Sequence, residues 1–113
     1  MKYAMLVYSE PGSHDLPEEE FGAVMSEYVA IRGEPGYIDS AQLHPPEMAT
    51  TLKLKDGQTL TTDGPFADTK EVFGGYYLFD LPDVDAALAI AAKIPALRLG
   101  GSVEVRPIIE AQS

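Results

Sequence analysis

Short apolar runs alternate with polar, turn-forming segments along the chain, and this pattern predicts six strands and two helices. The strands are predicted at residues 3–8, 37–43, 50–55, 58–62, 73–80 and 102–109. The first strand is apolar at most positions, so it is expected to be buried on both faces. The third and fourth strands flank Asp56-Gly57, a pair typical of a type I′ turn, and form a predicted hairpin with Leu52 and Leu54 on one face.

Each helix is predicted to begin with an Asp-Leu-Pro-acid sequence, which occurs at residues 15–18 and again at 80–83. An aspartate followed by an early proline and an acid is typical of a capped helix start. Apolar side chains three and four residues apart then form the predicted core faces. These are Phe21, Val24, Met25 and Tyr28 in the first helix and Val84, Ala87, Leu88 and Ala91 in the second.

The order of these elements is strand, helix, strand, hairpin, strand, helix, strand. It predicts an α+β fold, a ferredoxin-like split βαβ arrangement with an inserted β-hairpin, in a single domain of residues 1–113. One sheet would then pack both helices on one face and leave an apolar second face exposed to water. A second copy of the chain is expected to cover that face, which predicts a homodimer.

Composition and charge narrow the expected partners. Eight Lys and Arg against eighteen Asp and Glu give a formal net charge of -10, and such a surface repels phosphate backbones and anionic lipid headgroups. Neither nucleic acid nor a membrane is therefore an expected partner. The chain has no cysteine, which excludes thiol nucleophiles, disulfides and zinc ribbons and suits a cytoplasmic location. The first apolar run is too short for a signal or membrane-spanning segment.

No cofactor and no metal are predicted. The two histidines, His14 and His44, stand 30 residues apart without a carboxylate at ligand spacing. Gly74-Gly75 precedes a strand rather than a helix, so it does not have the context of a phosphate-binding loop.

Residues 63–71, with the sequence DGPFADTKE, and the Gly-Gly-Tyr at 74–76 resemble the signature of the DGPF proteins, a branch of the YCII-related family. The similarity spans nearly the whole chain. It includes the Met-Lys-Tyr start, the Leu-His-Pro-Pro turn at 43–46, the helix at 84–92 and the Val-Glu-Val-Arg-Pro at 103–107. The resemblance implies a dimeric α+β barrel, in which two ferredoxin-like sheets pack face to face.

The resemblance implies less about chemistry. Some members of the family are encoded near, or fused to, extracytoplasmic-function sigma factors, and one YCII-type relative is a dehydrochlorinase with a His and Asp pair. The histidine of such proteins lies in the first helix, where this chain has Met-Ser-Glu-Tyr at residues 25–28 and no histidine between His14 and His44. Tyr28 takes the equivalent place, so the dechlorinating pair is not carried over to this chain.

The candidate site is a cleft walled by the loop that follows Asp63. Its predicted catalytic side chains are Asp63, His44 and Lys70. A nearby lysine would keep the pKa of Asp63 low, which suits the binding of a polar ligand, whereas burial would raise that pKa toward the value of a general base. His44 would supply an imidazole base. Ligand contacts are predicted for Tyr28, Gly64, Pro65, Phe66, Thr69, Glu71 and Tyr76. The same loop also suits a purely structural corner with Gly64 at an unusual φ, and both interpretations stay open.

Two functions of different classes fit this site. The first is an acid–base enzyme of lyase or hydrolase type that acts on an unknown small molecule. The second is a non-catalytic module that binds a metabolite or presents its acidic surface to a basic protein, such as an extracytoplasmic-function sigma factor. A closed pocket with perturbed titratable groups would favour the enzyme, and an open cleft with exposed side chains would favour the module.

Overall fold

The computed structural model describes residues 1–13, 15–64 and 71–110. Its elements in chain order are β1 (Lys2–Ser9), α1 (Glu18–Ala30), β2 (Tyr37–Gln42), β3 (Thr50–Lys55), β4 (Gln58–Asp63), β5 (Val72–Asp80), α2 (Val84–Ala91) and β6 (Ser102–Pro107), with single-turn 3-10 helices at Ile31–Gly33 and Pro46–Met48. All the predicted strands and helices are confirmed. The last strand ends two residues earlier than predicted because β1 begins at Lys2, whose carbonyl accepts the Ile108 N–H at 2.8 Å as the final link between the two strands.

The main sheet has four antiparallel strands in the order β2-β5-β1-β6, and β3 and β4 pair as a separate hairpin. This strand order, with one helix in each crossover connection, is that of a ferredoxin-like split βαβ fold. The hairpin turn has Asp56 at φ 52° and Gly57 at φ 77°, the two positive values that a type I′ turn requires. The α+β fold with an inserted hairpin is therefore confirmed.

The core lies between the sheet and the two helices. Alternate residues of β1, Tyr3, Met5 and Val7, face the helices and are buried, and β5 contributes Tyr77 and Phe79. The rest of the core comes from the helices and the segments next to them, namely Ile31, Leu81, Ala87, Ile90, Ala91, Ile94 and Ala96. Both helices therefore pack on the same face of the sheet.

The two helix starts differ from the prediction. In α1, Pro17 takes the N-cap position without a side-chain cap bond, so Asp15 does not cap the helix. In α2 the cap is Asp83, whose Oδ1 accepts the Ala86 N–H at 2.9 Å. Asp80 cannot take this role because it is the last residue of β5 and is still paired in the sheet.

The predicted core faces of the helices are right only in part. In α1, Val24 is buried but Phe21 is 41% exposed. In α2, Val84 and Leu88 are exposed. The buried residues of α2 are Ala87, Ile90 and Ala91. This stripe continues into the buried Ile94 at helical spacing, so the helix and the turn after it bury one continuous face. Within the described ranges, neither helix has the length and hydropathy of a membrane span.

The second face of the sheet is only partly shielded within the chain, and we call it the open face. Ala4, Leu6 and Tyr8 of β1 lie there half-buried, so the prediction that β1 is buried on both faces is wrong. The reason is that both helices pack on the opposite face. Tyr76 of β5 pairs with Leu6, and Leu78 pairs with Ala4, so aromatic and aliphatic side chains share the open face.

Candidate functional site

A cavity of about 400 Å³ lies at the end of the sheet where β1 finishes and β5 and β6 begin. Its lining residues are Tyr8, Glu71, Ser102, Val103 and Glu104. The antiparallel register brings them together, because Tyr8 pairs with Ser102 and Ser9 pairs with Val72, the residue after Glu71. A volume of this size is within the range of small-molecule pockets.

The polar wall of the cavity carries two carboxylates. Ser102 Oγ donates a hydrogen bond to Glu71 Oε2 at 2.8 Å. Glu104 lies two residues further along β6, on the same side of the strand, and its Oε1 is 3.8 Å from Arg106 Nε. A wall of carboxylate oxygens next to hydroxyl groups suits a ligand that brings its own hydrogen-bond donors, and it can accept or return a proton.

An irregularity in the β1–β5 pairing places a second aromatic ring beside the cavity. Val7 pairs with Gly75 but Tyr8 pairs with Phe73, so Gly74 is left over as a bulge. The bulge brings Phe73 to the same face as Tyr8, and the two ring centroids are 5.5 Å apart with a tilt of 55°. The cavity is therefore lined by the Tyr8 ring, which Phe73 supports, and by the oxygen acceptors of Glu71 and Glu104.

Asp63 and Gly64 lie at the base of the hairpin. Asp63 pairs with Thr50 as the last pair of β3 and β4, and it is exposed. Gly64 has φ 98°, its N–H donates to the Ala49 carbonyl at 2.6 Å, and its own carbonyl accepts the Thr51 hydroxyl at 2.8 Å. Because this φ favours glycine, Gly64 has the unusual backbone expected of a structural corner.

The other predicted site residues are spread over the fold. Glu71 lines the cavity, and Tyr76 lies on the open face. His44 is exposed in the segment after β2, next to Leu43, whose N–H donates to the Gly74 carbonyl at 2.9 Å. The predictions that fall outside the described residues are those for Pro65, Phe66, Thr69 and Lys70.

Tyr28 belongs to the helix side of the sheet. It packs against the core, and its carbonyl accepts the Tyr77 hydroxyl at 2.6 Å. Burial raises the pKa of Tyr28, although a hydrogen bond with the Ala96 backbone opposes the shift. Burial also raises the pKa of Tyr77 to about 12. The structure therefore does not bring Tyr28 together with Glu71, which lines the open-face cavity.

Sequence reasoning missed most of the cavity lining. Ser102 and Glu104 alternate with Val103 and Val105 along β6, and this period of two was a usable signal for one polar side of the strand. Phe73 offered no such signal, because its direction depends on the bulge at Gly74. Within the described residues, no group of three or more Asp, Glu or His side chains is arranged to hold a metal ion.

The fold and the cavity define a small α+β protein of ferredoxin-like type with an open-face cleft. The family model of the YCII-related domain matches residues 1–112, and the chain belongs to this family. It is 36% identical over 116 residues to an uncharacterized protein of Rhizobium meliloti strain 1021, in an alignment that covers 96% of this chain and 92% of the relative.

A solved structure with a similar fold is the 5-chloro-2-hydroxyhydroquinone dehydrochlorinase TftG from Burkholderia phenoliruptrix AC1100, in complex with 2,5-dihydroxybenzoquinone. The TM-score is 0.55 at 13% sequence identity, and the match covers 98% of this chain and 96% of the other. At this identity the likeness is one of fold.

Proposed function

We propose that this protein is a small-molecule enzyme that uses acid–base chemistry, of lyase or hydrolase type, in the open-face cavity lined by Glu71, the last residue of the DGPFADTKE sequence. The observation that carries the proposal is the Ser102–Glu71 hydrogen bond in the wall of a cavity that also contains Tyr8 and Glu104. Glu71 is the proposed base, since its carboxylate lines the cavity, and Tyr8 offers a phenol hydroxyl as a donor.

The side chains of the cavity favour a hydroxylated ring as its ligand. The tilted Tyr8 and Phe73 rings offer an aromatic surface, and the carboxylates of Glu71 and Glu104 would accept hydrogen bonds from ring hydroxyls. The similarity in fold to a dehydrochlorinase bound to 2,5-dihydroxybenzoquinone agrees with this ligand class.

Asp63, His44 and Lys70 stay in the proposal as catalytic groups. In the sequence His44 precedes the hairpin, Asp63 ends it and Lys70 follows it. His44 and Asp63 are exposed in a single chain, and the cavity is open to solvent. By the criterion of a closed pocket, this openness favours a binding module over an enzyme. Since the described residues leave the cavity open, the enzyme proposal includes a cover that a second chain supplies.

A homodimer, in which two open faces pack into a dimeric α+β barrel, is the proposed cover. The accessible surface of the chain is 7870 Å², whereas a compact monomer of 12.2 kDa exposes about 6,100 Å². The excess of roughly 1,800 Å² is more than the roughly 800 Å² that each partner buries in a standard interface. A cytoplasmic location and membership of the DGPF branch are proposed with it.

The second candidate function is a metabolite-binding or regulatory module that works with an extracytoplasmic-function sigma factor. The net charge of -10 supports it, because an acidic surface attracts a basic protein. Turnover separates the two functions. Incubation with a panel of hydroxylated and chlorinated hydroquinones, followed by chromatography, should show a product for the enzyme, whereas binding without any product is the result expected of the module.

The role of Glu71 is tested by titrating 2,5-dihydroxybenzoquinone into the wild type and into Glu71→Gln. We expect the substitution to weaken binding more than tenfold, about 1.4 kcal/mol or more, with little change in melting temperature. Glu19→Gln, which removes an exposed carboxylate in the first turn of α1, is the matched control and should bind as the wild type does. Equal binding by both variants and the wild type would remove Glu71 from the site.

A further inference from the structure

The β3–β4 hairpin carries an apolar face that its own chain leaves exposed. Leu52 and Leu54 lie on one face of the hairpin with Thr61 and Thr59, their cross-strand partners, and they are 64% and 74% exposed. An isolated two-stranded hairpin is marginally stable in water, so a hairpin with a bare leucine face needs a surface to pack against.

The hairpin projects away from the body of the protein. The radius of gyration is 16.1 Å, whereas a compact domain of this length has about 13 Å. The shortest dimension of the molecule is 18 Å, which accommodates one sheet and one layer of helices but no third layer over the open face. The hairpin therefore extends to the side, and its six-residue strands give it a reach of about 20 Å.

The base of the hairpin is held by hydrogen bonds, and in the sequence it is close to Glu71, a residue of the cavity wall. Gly64 is clamped to Ala49 and Thr51 by the two hydrogen bonds described above, and Glu71, seven residues later in the sequence, lines the cavity. Each copy therefore has an apolar arm, residues 50–63, and an open apolar face, and the two surfaces do not meet within one chain.

We propose that residues 50–63 are an arm that lies on the open face of a second copy, where Leu52 and Leu54 roof the partner's cavity. The site would then be shared, with the carboxylates from one subunit and the apolar cover from the other. The surface excess of roughly 1,800 Å² is large enough for the sheet-to-sheet contact and the arm together. The opposite side of β3 carries Thr51, Lys53 and Lys55 and would stay toward solvent.

The placement of the arm is tested without a ligand by nuclear magnetic resonance on mixed dimers. The chain has no cysteine, so a nitroxide attached to a Leu54→Cys variant reports from one position. Chains that carry the nitroxide but no isotope label are mixed with isotope-labelled wild-type chains. Any broadening of the wild-type signals then arises from a nitroxide on the other subunit. We expect the amide signals of Tyr8, Ser102 and Glu104 to broaden.

The matched control carries the nitroxide at Leu88→Cys, an exposed position of α2 on the helix side of the sheet. It should leave the signals of Tyr8, Ser102 and Glu104 sharp. Broadening confined to the helices, or no broadening between chains from the Leu54 position, would overturn the proposal. The absence of broadening between chains is also the result expected if the arm packs on its own subunit or on an unrelated protein.

The shared site is tested by complementation, an experiment that rests on the proposed function. Leu52→Ser/Leu54→Ser chains have a defective arm, and Glu71→Gln chains have a defective cavity. A mixed dimer places one intact arm over one intact cavity, so random exchange should restore roughly one quarter of the wild-type 2,5-dihydroxybenzoquinone sites. No recovery, with mixed dimers shown by mass spectrometry, would place the arm over its own cavity and overturn the proposal.

The two experiments separate the two proposals. If the wild type does not bind 2,5-dihydroxybenzoquinone, the proposed ligand class fails, while the broadening experiment still decides where the arm lies. If broadening is absent but Glu71→Gln weakens binding, the shared site fails and the proposed base stands.

Discussion

Because β2 lies close to β5, alanine substitutions at the two adjacent glycines Gly74 and Gly75 should affect stability differently. A Cβ added at Gly75 would lie 2.6 Å from the Ala41 carbonyl oxygen and 3.3 Å from the Gln42 Cα, both backbone atoms of β2. A Cβ added at Gly74 would meet its nearest atom, the Val7 carbonyl oxygen, at 4.0 Å. The variants Gly75→Ala and Gly74→Ala therefore add the same methyl group with opposite consequences.

The expected cost follows from the distance that β2 must move. Ordinary van der Waals contact begins near 3.4 Å, so the Gly75→Ala methyl group must displace the Ala41 carbonyl by several tenths of an ångström. Overpacking of this kind destabilises by about 1–3 kcal/mol, which for a chain of 113 residues lowers the melting temperature by roughly 4–12 °C. Gly74→Ala should be neutral or stabilise by about 0.4–1 kcal/mol, because alanine restricts the unfolded chain.

The melting temperature of each variant is measured by far-UV circular dichroism, and its free energy of unfolding by urea denaturation. All samples have the same protein concentration, because the unfolding transition of a dimer depends on concentration. Glu71 lies on the β1 and β6 side of β5, so Gly75→Ala should change binding at the cavity less than it changes stability. Equal melting temperatures for the two variants would refute the reasoning, because the contact with Ala41 would then not constrain residue 75.

Two further predictions concern the helix cap and the buried tyrosine. Asp83→Ala removes the α2 cap and should lower the free energy of unfolding, measured by urea denaturation, by about 0.5–2 kcal/mol. Asp85→Asn, in the same turn, is the control and should change it by less than about 0.5 kcal/mol. Equal effects of the two substitutions would contradict the capping role of Asp83. Tyr77→Phe removes the hydrogen bond to the Tyr28 carbonyl and should cost about 0.5–1.5 kcal/mol at neutral pH. Because burial raises the pKa of Tyr77 from 10.0 to about 12, the stability contributed by its neutral form is complete below pH 10 and is lost as the pH rises toward 12. The melting temperature of the wild type should fall more steeply across that window than that of Tyr77→Phe, and parallel profiles would contradict the assignment.

The elements of the fold were predictable because they rest on local patterns. Alternation of apolar and polar residues located the strands, and Asp56-Gly57 predicted a turn whose φ values are both positive. Ala87 and Ala91 of α2 are buried as predicted, whereas Val84 and Leu88 are exposed. The helix is oriented so that Ile90 completes the buried stripe instead. The N-cap of α2 is Asp83 and not the predicted Asp80, because Asp80 is paired with Lys2 in the sheet.

The site was harder to predict because it is assembled from three strands. Glu71 was predicted from the DGPF segment and does line the cavity, but its neighbours Ser102 and Tyr8 join it through the pairing of β1 with β6. Register and bulges depend on packing across the whole sheet, so a sequence pattern cannot place side chains that distant in the chain. Tyr28 shows the opposite error, since its place in the family pattern suggested a ligand contact. Its side chain packs against the core on the helix side of the sheet, as its helical spacing predicted.

The central position of β1 has a consequence for how the chain folds during synthesis. β1 is made first, yet both of its partners, β5 and β6, come from the second half of the chain. The β3–β4 hairpin needs only local pairing and can form as soon as it emerges from the ribosome. The main sheet forms later, because its strands are far apart in the sequence and the long segments between them must first be ordered. The apolar β1 segment therefore stays unpaired until β5 and β6 have been synthesised, and in that time it needs protection from aggregation.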